Sequence, residues 1–129
     1  MILVDTTVWI DLFGGKDSSC TRKLKDAIEG EEDLCTCGLI LTEVLQGIRN
    51  DDDFSRTLSI LQDLIYLPMS QETFLKAAEI YRACRKKGVT IRKTNDCIIA
   101  AVCIDNTAFI LHNDRDFSVI SKYSPLQFI

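Results

Sequence analysis

Four carboxylates interrupt apolar stretches of this chain: Asp5 in Ile2-Leu3-Val4-Asp5-Thr6-Thr7-Val8-Trp9, Glu43 in Leu39-Ile40-Leu41-Thr42-Glu43-Val44-Leu45, Asp96 ahead of Cys97-Ile98-Ile99-Ala100-Ala101-Val102, and Asp114 after Phe109-Ile110-Leu111. A carboxylate placed among hydrophobic elements is costly unless it is protonated, paired or bound to a cation. Taken singly, Asp96 reads as a helix N-cap, Asp114 and Asp116 as turn or cap residues, and Glu43 as an ordinary helix surface residue. Asp5 resists such a reading, because a charge at the end of a buried strand rarely serves packing. As a set, the four point to one shared site for a hard divalent cation.

All-oxygen ligation selects Mg²⁺ or Mn²⁺ over zinc. Such ions activate water and clamp a phosphodiester for in-line attack, so nucleic-acid hydrolysis is the leading reaction class. A serine or cysteine hydrolase is disfavoured: His112 is the only histidine and no Gly-x-Ser-x-Gly turn is present. A Gly-rich phosphate loop is also missing. Cys35-x-Cys37 lacks the second ligand pair that a zinc site requires. The net charge of −4 excludes non-specific coating of nucleic acid, which needs a basic surplus. Local basic clusters remain, at Arg22-Lys23-x-Lys25, Arg82-x-x-Arg85-Lys86-Lys87 and Arg92-Lys93. Most read as solvated helix faces, whereas Arg92 and Lys93 lie within one turn of Asp96 and are candidate RNA contacts.

These side chains are positioned by alternating short apolar runs and helical patterns, the signature of an α/β domain with a central, mainly parallel sheet of four to five short strands flanked by helices. Strands are expected at 2–4, 34–37, 65–68, 107–111 and, at an edge, 126–129. Helices are expected over 18–29 with Gly30 as a left-handed cap, 40–48, 54–64 after an acidic capping triplet at 51–53, and 70–88, with a short one after Asp5 and another at 117–122. In the long helix before Gly88, Phe74, Ala77, Ala78 and Tyr81 share a stripe. Residues 95–104 are apolar nearly all round, as in a helix packed on several sides. In open parallel sheets the functional crevice lies beyond the carboxyl ends of the strands, where Asp5 and Asp114 both fall. At 129 residues, without repeats or linkers, the expectation is one domain, 1–129. Neither a signal peptide nor a membrane span is indicated, so the cytoplasm is the expected location, and the six scattered cysteines read as reduced thiols packed like small hydrophobes.

The order of motifs Val4-Asp5-Thr6-Thr7-Val8-Trp9-Ile10-Asp11, Thr42-Glu43-Val44-x-x-Gly47, Asn95-Asp96-Cys97-Ile98-Ile99-Ala100-Ala101 and Leu111-His112-Asn113-Asp114-Arg115-Asp116-Phe117 resembles that of PIN-domain ribonucleases, specifically VapC-type toxins of toxin–antitoxin pairs. The likeness spans essentially the whole chain. It implies a magnesium- or manganese-dependent endoribonuclease acting on tRNA or ribosomal RNA, a homodimer, and a cognate small antitoxin protein that brings a basic side chain to the acidic pocket. By that resemblance Asp5, Glu43, Asp96 and Asp114 are the catalytic quartet, with Asp5, Asp96 and Asp114 as metal ligands. Thr6 and Asp116 match supporting positions. The chain departs from the pattern at His112, where the family usually has Thr, and packing is the expected role of that ring. Haloacid-dehalogenase-like phosphatases fit worse, since the position of their second Asp is Thr7 here, and so do response-regulator receivers, which need an acidic pair near the first strand end and a later phospho-acceptor. The rival from another class is a catalytically inactive PIN-like module that binds RNA or protein.

Overall fold

The computed structural model describes residues 1–129. Five parallel strands form one sheet in the order β3-β2-β1-β4-β5, with β1 (Ile2–Val4), β2 (Leu34–Thr36), β3 (Ile65–Tyr66), β4 (Phe109–Leu111) and β5 (Gln127–Phe128). Central β1 pairs Ile2 with Leu34 on one side and with Phe109 on the other, and Leu3, Val4, Ile110 and Leu111 are sealed from solvent. That complete burial on both sheet faces is why these strands read as unbroken apolar runs rather than as alternation.

Seven helices cover the sheet: α1 (Thr6–Phe13), α2 (Ser19–Glu29), α3 (Gly38–Leu45), α4 (Asp51–Gln62), α5 (Gln71–Lys86), α6 (Thr94–Asp105) and α7 (Arg115–Lys122). α6 is the axial helix, with Cys97, Ile99, Ala100, Ala101, Val102 and Cys103 all buried, and α5 packs along it. Its near-uniform hydrophobicity follows from contact on several sides. Five of the six cysteines are buried within this core. Burial raises the Cys35 thiol to about 11 and the Cys97 thiol to about 12, which keeps them as protonated, apolar groups. No helix is long and apolar enough to cross a membrane.

Three local expectations change. Gly30 is not left-handed (φ −80°); the following Glu31 takes φ 52°. Its N–H reaches the Ile28 carbonyl and that of Glu32 the Ala27 carbonyl, a Schellman closure set one residue later than the glycine. The acidic triplet is itself helical: Asn50 caps α4 by accepting the Asp53 N–H at 3.0 Å, and Asp51–Asp53 form the first turn, favoured by the helix dipole. On α5 the buried positions are Thr73, Ala77, Ile80 and Cys84; of the expected stripe Ala77 is buried and Tyr81 half-buried, while Phe74 and Ala78 share its face but are exposed, and Thr73 turns inward with its hydroxyl bonded to Ser70 and Asp105.

Strand order reverses direction at β1: the chain steps outward to β2 and β3, then crosses back through α5 and α6 to β4. A crevice therefore opens between the carboxyl ends of β1 and β4.

Candidate active site

Asp5 leaves β1 directly into that crevice, its N–H donating to the Leu111 carbonyl at 3.0 Å, so the ladder between β1 and β4 fixes the carboxylate in place. It is 5% exposed. Although it stands at the N-cap position of α1, its side chain makes no cap bond, so helix capping does not account for it. The Thr7 hydroxyl lies 3.0 Å from Asp5 Oδ2 and 2.7 Å from Asn113 Oδ1, and Asn113 Nδ2 donates to Asp11 Oδ2 at 3.1 Å. Burial raises the Asp5 titration, and the nearby Glu43 and Asp114 charges add to the rise against the lowering effect of Thr7. The Thr7 hydroxyl thus stands between Asp5 Oδ2 and Asn113 Oδ1 and ties the carboxyl to the loop after β4.

Opposite stands Glu43, half-buried on α3, with Thr6 Oγ1 donating to its Oε1 at 3.3 Å. The supporting position predicted for Thr6 thus corresponds to a direct bond between two of the motifs.

Asp96, Asp114 and Asp116 each offer a carboxylate oxygen, and these three atoms lie within 4.8 Å of one another. Asp96 sits in the first turn of α6, 5% exposed, and its Oδ2 has no hydrogen-bond partner. Asp96 is not the cap of α6, since the N-cap position belongs to Lys93 and no side chain caps that end. Burial, then the charge of Asp114, push its carboxyl up to about 7 despite Lys93 acting the other way. Asp114 does cap α7: its Oδ1 accepts the Asp116 N–H at 2.9 Å, which leaves Oδ2 turned to the crevice where Lys93 Nζ approaches to 3.5 Å. The same short motif places Asp116, buried at 5% exposure, in the tightest group. Its spacing two residues from Asp114 carried this signal in the sequence, which assigned it only a supporting place. The Thr7–Asn113–Asp11 tether had no sequence signal, since it joins residues about a hundred positions apart.

The two basic residues close the mouth. Arg92 Nε lies 3.3 Å from Asp116 Oδ2 and Nη2 lies 3.4 Å from Asp114 Oδ1. The Asp96 charge, foremost, raises the Lys93 titration. His112 packs between Phe117 and Phe128, with ring centroids 5.2 Å and 5.1 Å away, and burial lowers its titration. Its Nδ1 accepts the Asp114 N–H at 3.1 Å, so the ring orients the turn as well as filling space.

The donor set fits a hard divalent ion: oxygen ligands only, gathered at a sheet edge, one of them buried without a protein partner. Electrostatic repulsion among them is the cost that such an ion removes.

Comparison with known proteins gives one family. The PIN-domain profile matches residues 2–123. Ribonuclease VapC11 of Mycobacterium tuberculosis is 35% identical over 129 residues, covering 98% of this chain and 96% of that protein. Among solved structures, VapBC2 of Rickettsia felis bound to a promoter DNA fragment superposes with a TM-score of 0.77 at 18% identity over 100% of this chain and 98% of that one. FitAcB of Neisseria gonorrhoeae gives 0.75 at 18% identity, covering 100% and 96%.

Proposed function

The chain belongs to the PIN-domain family as a VapC-type ribonuclease, and from that premise we propose that it is a Mg²⁺- or Mn²⁺-dependent endoribonuclease whose crevice carboxylates hold the ion and direct water onto an RNA phosphodiester. The observation that carries this reading is the buried, partnerless Oδ2 of Asp96 beside Asp114 and Asp116. An inactive binding module has no use for so costly an oxygen.

Asp5, Asp96 and Asp114 would hold the ion, with Asp116 on the same wall and Thr6 fixing Glu43. When bound, the ion supplies Lewis-acid stabilisation of phosphate charge and lowers the acidity barrier of water. The remaining work falls to the chain. In the metal-free crevice burial and Asp114 push the Asp96 carboxyl up to about 7, and a bound cation would favour its ionised form, completing the anionic set. Glu43, whose Oε1 accepts the Thr6 hydroxyl, would accept the proton of attacking water. Arg92 and Lys93, both more than half exposed at the mouth, would meet the RNA backbone.

A toxin–antitoxin complex from Klebsiella pneumoniae shares this fold; a small antitoxin is the partner proposed here, acting in the cytoplasm. Its docking place would be the groove of about 720 Å³ between α1, α3 and α4, where Ile10, Phe13 and Ile60 are exposed. A second copy of the chain would cover the separate apolar face formed by Phe74, Tyr81 and Ile98 on α5 and α6.

Purified protein stripped with EDTA and incubated with total bacterial RNA tests the reading. Discrete cuts, mapped by 5′-end sequencing, should appear only when Mg²⁺ or Mn²⁺ is restored and should vanish in Asp5→Asn. Cutting in EDTA, or by the variant, would refute it.

A further inference from the structure

The two cations at the crevice lie on the same carboxylates that the proposed ion needs. Arg92 spans Asp114 and Asp116 through Nη2 and Nε, and Lys93 approaches the other Asp114 oxygen. The cationic side chains are 54% and 59% exposed, whereas the Asp114 and Asp116 side chains are 13% and 6% exposed. Ile91, 3% exposed, anchors the backbone just before them, and α6 begins just after at Thr94. Their bases are thereby fixed while the heads are free to swing between the acids and the crevice mouth. Asp96 is in ion-pair contact with neither cation and keeps its buried oxygen unpartnered, so the two side chains neutralise the set only in part.

An Arg whose Nε and Nη2 are both given to carboxylates cannot at once present that fork to a phosphate. Conversely, an ion bound by Asp114 and its neighbours removes the negative charge that holds the guanidinium down. Resting on the metal-dependent ribonuclease reading above, we infer that Arg92 is an exchange residue. It lies on Asp114 and Asp116 in the metal-free crevice and transfers to an RNA phosphate when the ion takes those carboxylates, so that ion and RNA each strengthen the binding of the other. The reciprocity is required by linkage: whatever RNA gains from a loaded site, the ion gains from bound RNA. Metal loading in the absence of RNA is thereby held back.

Two binding measurements on wild type and Arg92→Ala test this without turnover. Calorimetric titration with Mn²⁺, no RNA present, should show the variant binding the ion about tenfold more tightly, the scale expected when several partly exposed charge pairs no longer compete. Fluorescence anisotropy with a short labelled single-stranded RNA in saturating Mn²⁺, read by stopped flow ahead of cleavage, should show the variant binding RNA more weakly. Opposite signs in the two assays are the mark of a shared side chain. Weaker RNA binding with unchanged Mn²⁺ affinity would reduce Arg92 to a phosphate contact. Tighter Mn²⁺ binding with unchanged RNA affinity would reduce it to a counter-ion, and losses in both would make it structural; each of these overturns the inference. Mn²⁺ binding that is undiminished in Asp96→Asn would remove the metal reading itself, a failure visible apart from the behaviour of Arg92.

Discussion

Replacing Asp96 by Asn should stabilise the metal-free protein, and only above acidic pH. In the folded state burial and Asp114 raise the carboxyl from 3.8 to about 7, so between those values the native chain holds a proton that the unfolded chain has released. Stability contributed by this group is therefore complete below pH 4 and lost as pH rises through 7. At about 1.36 kcal/mol per pH unit, the full window sets a ceiling of about 4 kcal/mol. Water at the open side of the crevice screens part of this, leaving about 2 kcal/mol. The substitution also forfeits roughly 0.5 kcal/mol of helix-dipole attraction in the first turn of α6. The net gain at pH 8 is then about 1.5 kcal/mol, or roughly 5 °C in Tm for a domain of this size. Thermal and urea unfolding in EDTA across pH 4 to 8 reads it directly. The wild-type and variant curves should converge at pH 4 and separate above pH 6. With millimolar Mg²⁺ the order should invert, because the ion stabilises only the protein that binds it. A variant no more stable at pH 8 than wild type, or one shifted equally at every pH, would refute the argument that Asp96 is an uncompensated buried acid.

Further outcomes follow from the same geometry. Asp114→Asn should lower RNA cleavage at least a hundredfold, as read by single-turnover assays, while circular dichroism stays native, because Asn retains the cap to the Asp116 N–H. Thr107→Gly should stabilise by about 1 kcal/mol in urea melts without changing cleavage, since the exposed Thr107 is β-branched at φ 52°. Phe117→Ala should cost about 3–5 kcal/mol, because the ring is sealed from solvent beside His112; an unchanged melt would contradict the packing. Ile10→Asp should abolish antitoxin binding in co-purification while leaving cleavage intact, which would anchor the partner in the groove.

Much of this molecule was legible because its signals are local. The run Ile2–Val4 followed by Asp5, and the all-round apolar residues of α6, report burial that any fold must respect, and the strand-end rule then brings Asp5 and Asp114 to one edge. What escaped was set by distance in sequence or by competition within a turn. Asp116 read as a supporting or turn residue because a carboxylate two residues past a cap looks like a solvated first turn, whereas the fold buries it beside Asp96 and Asp114. Arg92 and Lys93 read as RNA contacts one turn from Asp96, whereas the acids they meet come from beyond β4, some twenty residues on. The left-handed position passed from Gly30 to Glu31 because the hydrogen-bond closure of α2, not the residue type, fixed where the helix stops. Phe74 is exposed while the Thr73 hydroxyl is satisfied inside by Asp105, a preference invisible to a hydrophobic stripe.

The central claim is that one divalent ion binds among these carboxylates. Anomalous diffraction from crystals of the protein soaked in Mn²⁺ tests it most directly. A peak should appear coordinated by oxygens of Asp96 and Asp114, with Asp5 on the same ion and the Arg92 head group withdrawn. An absent peak, or one whose ligands lie elsewhere on the chain, would contradict it.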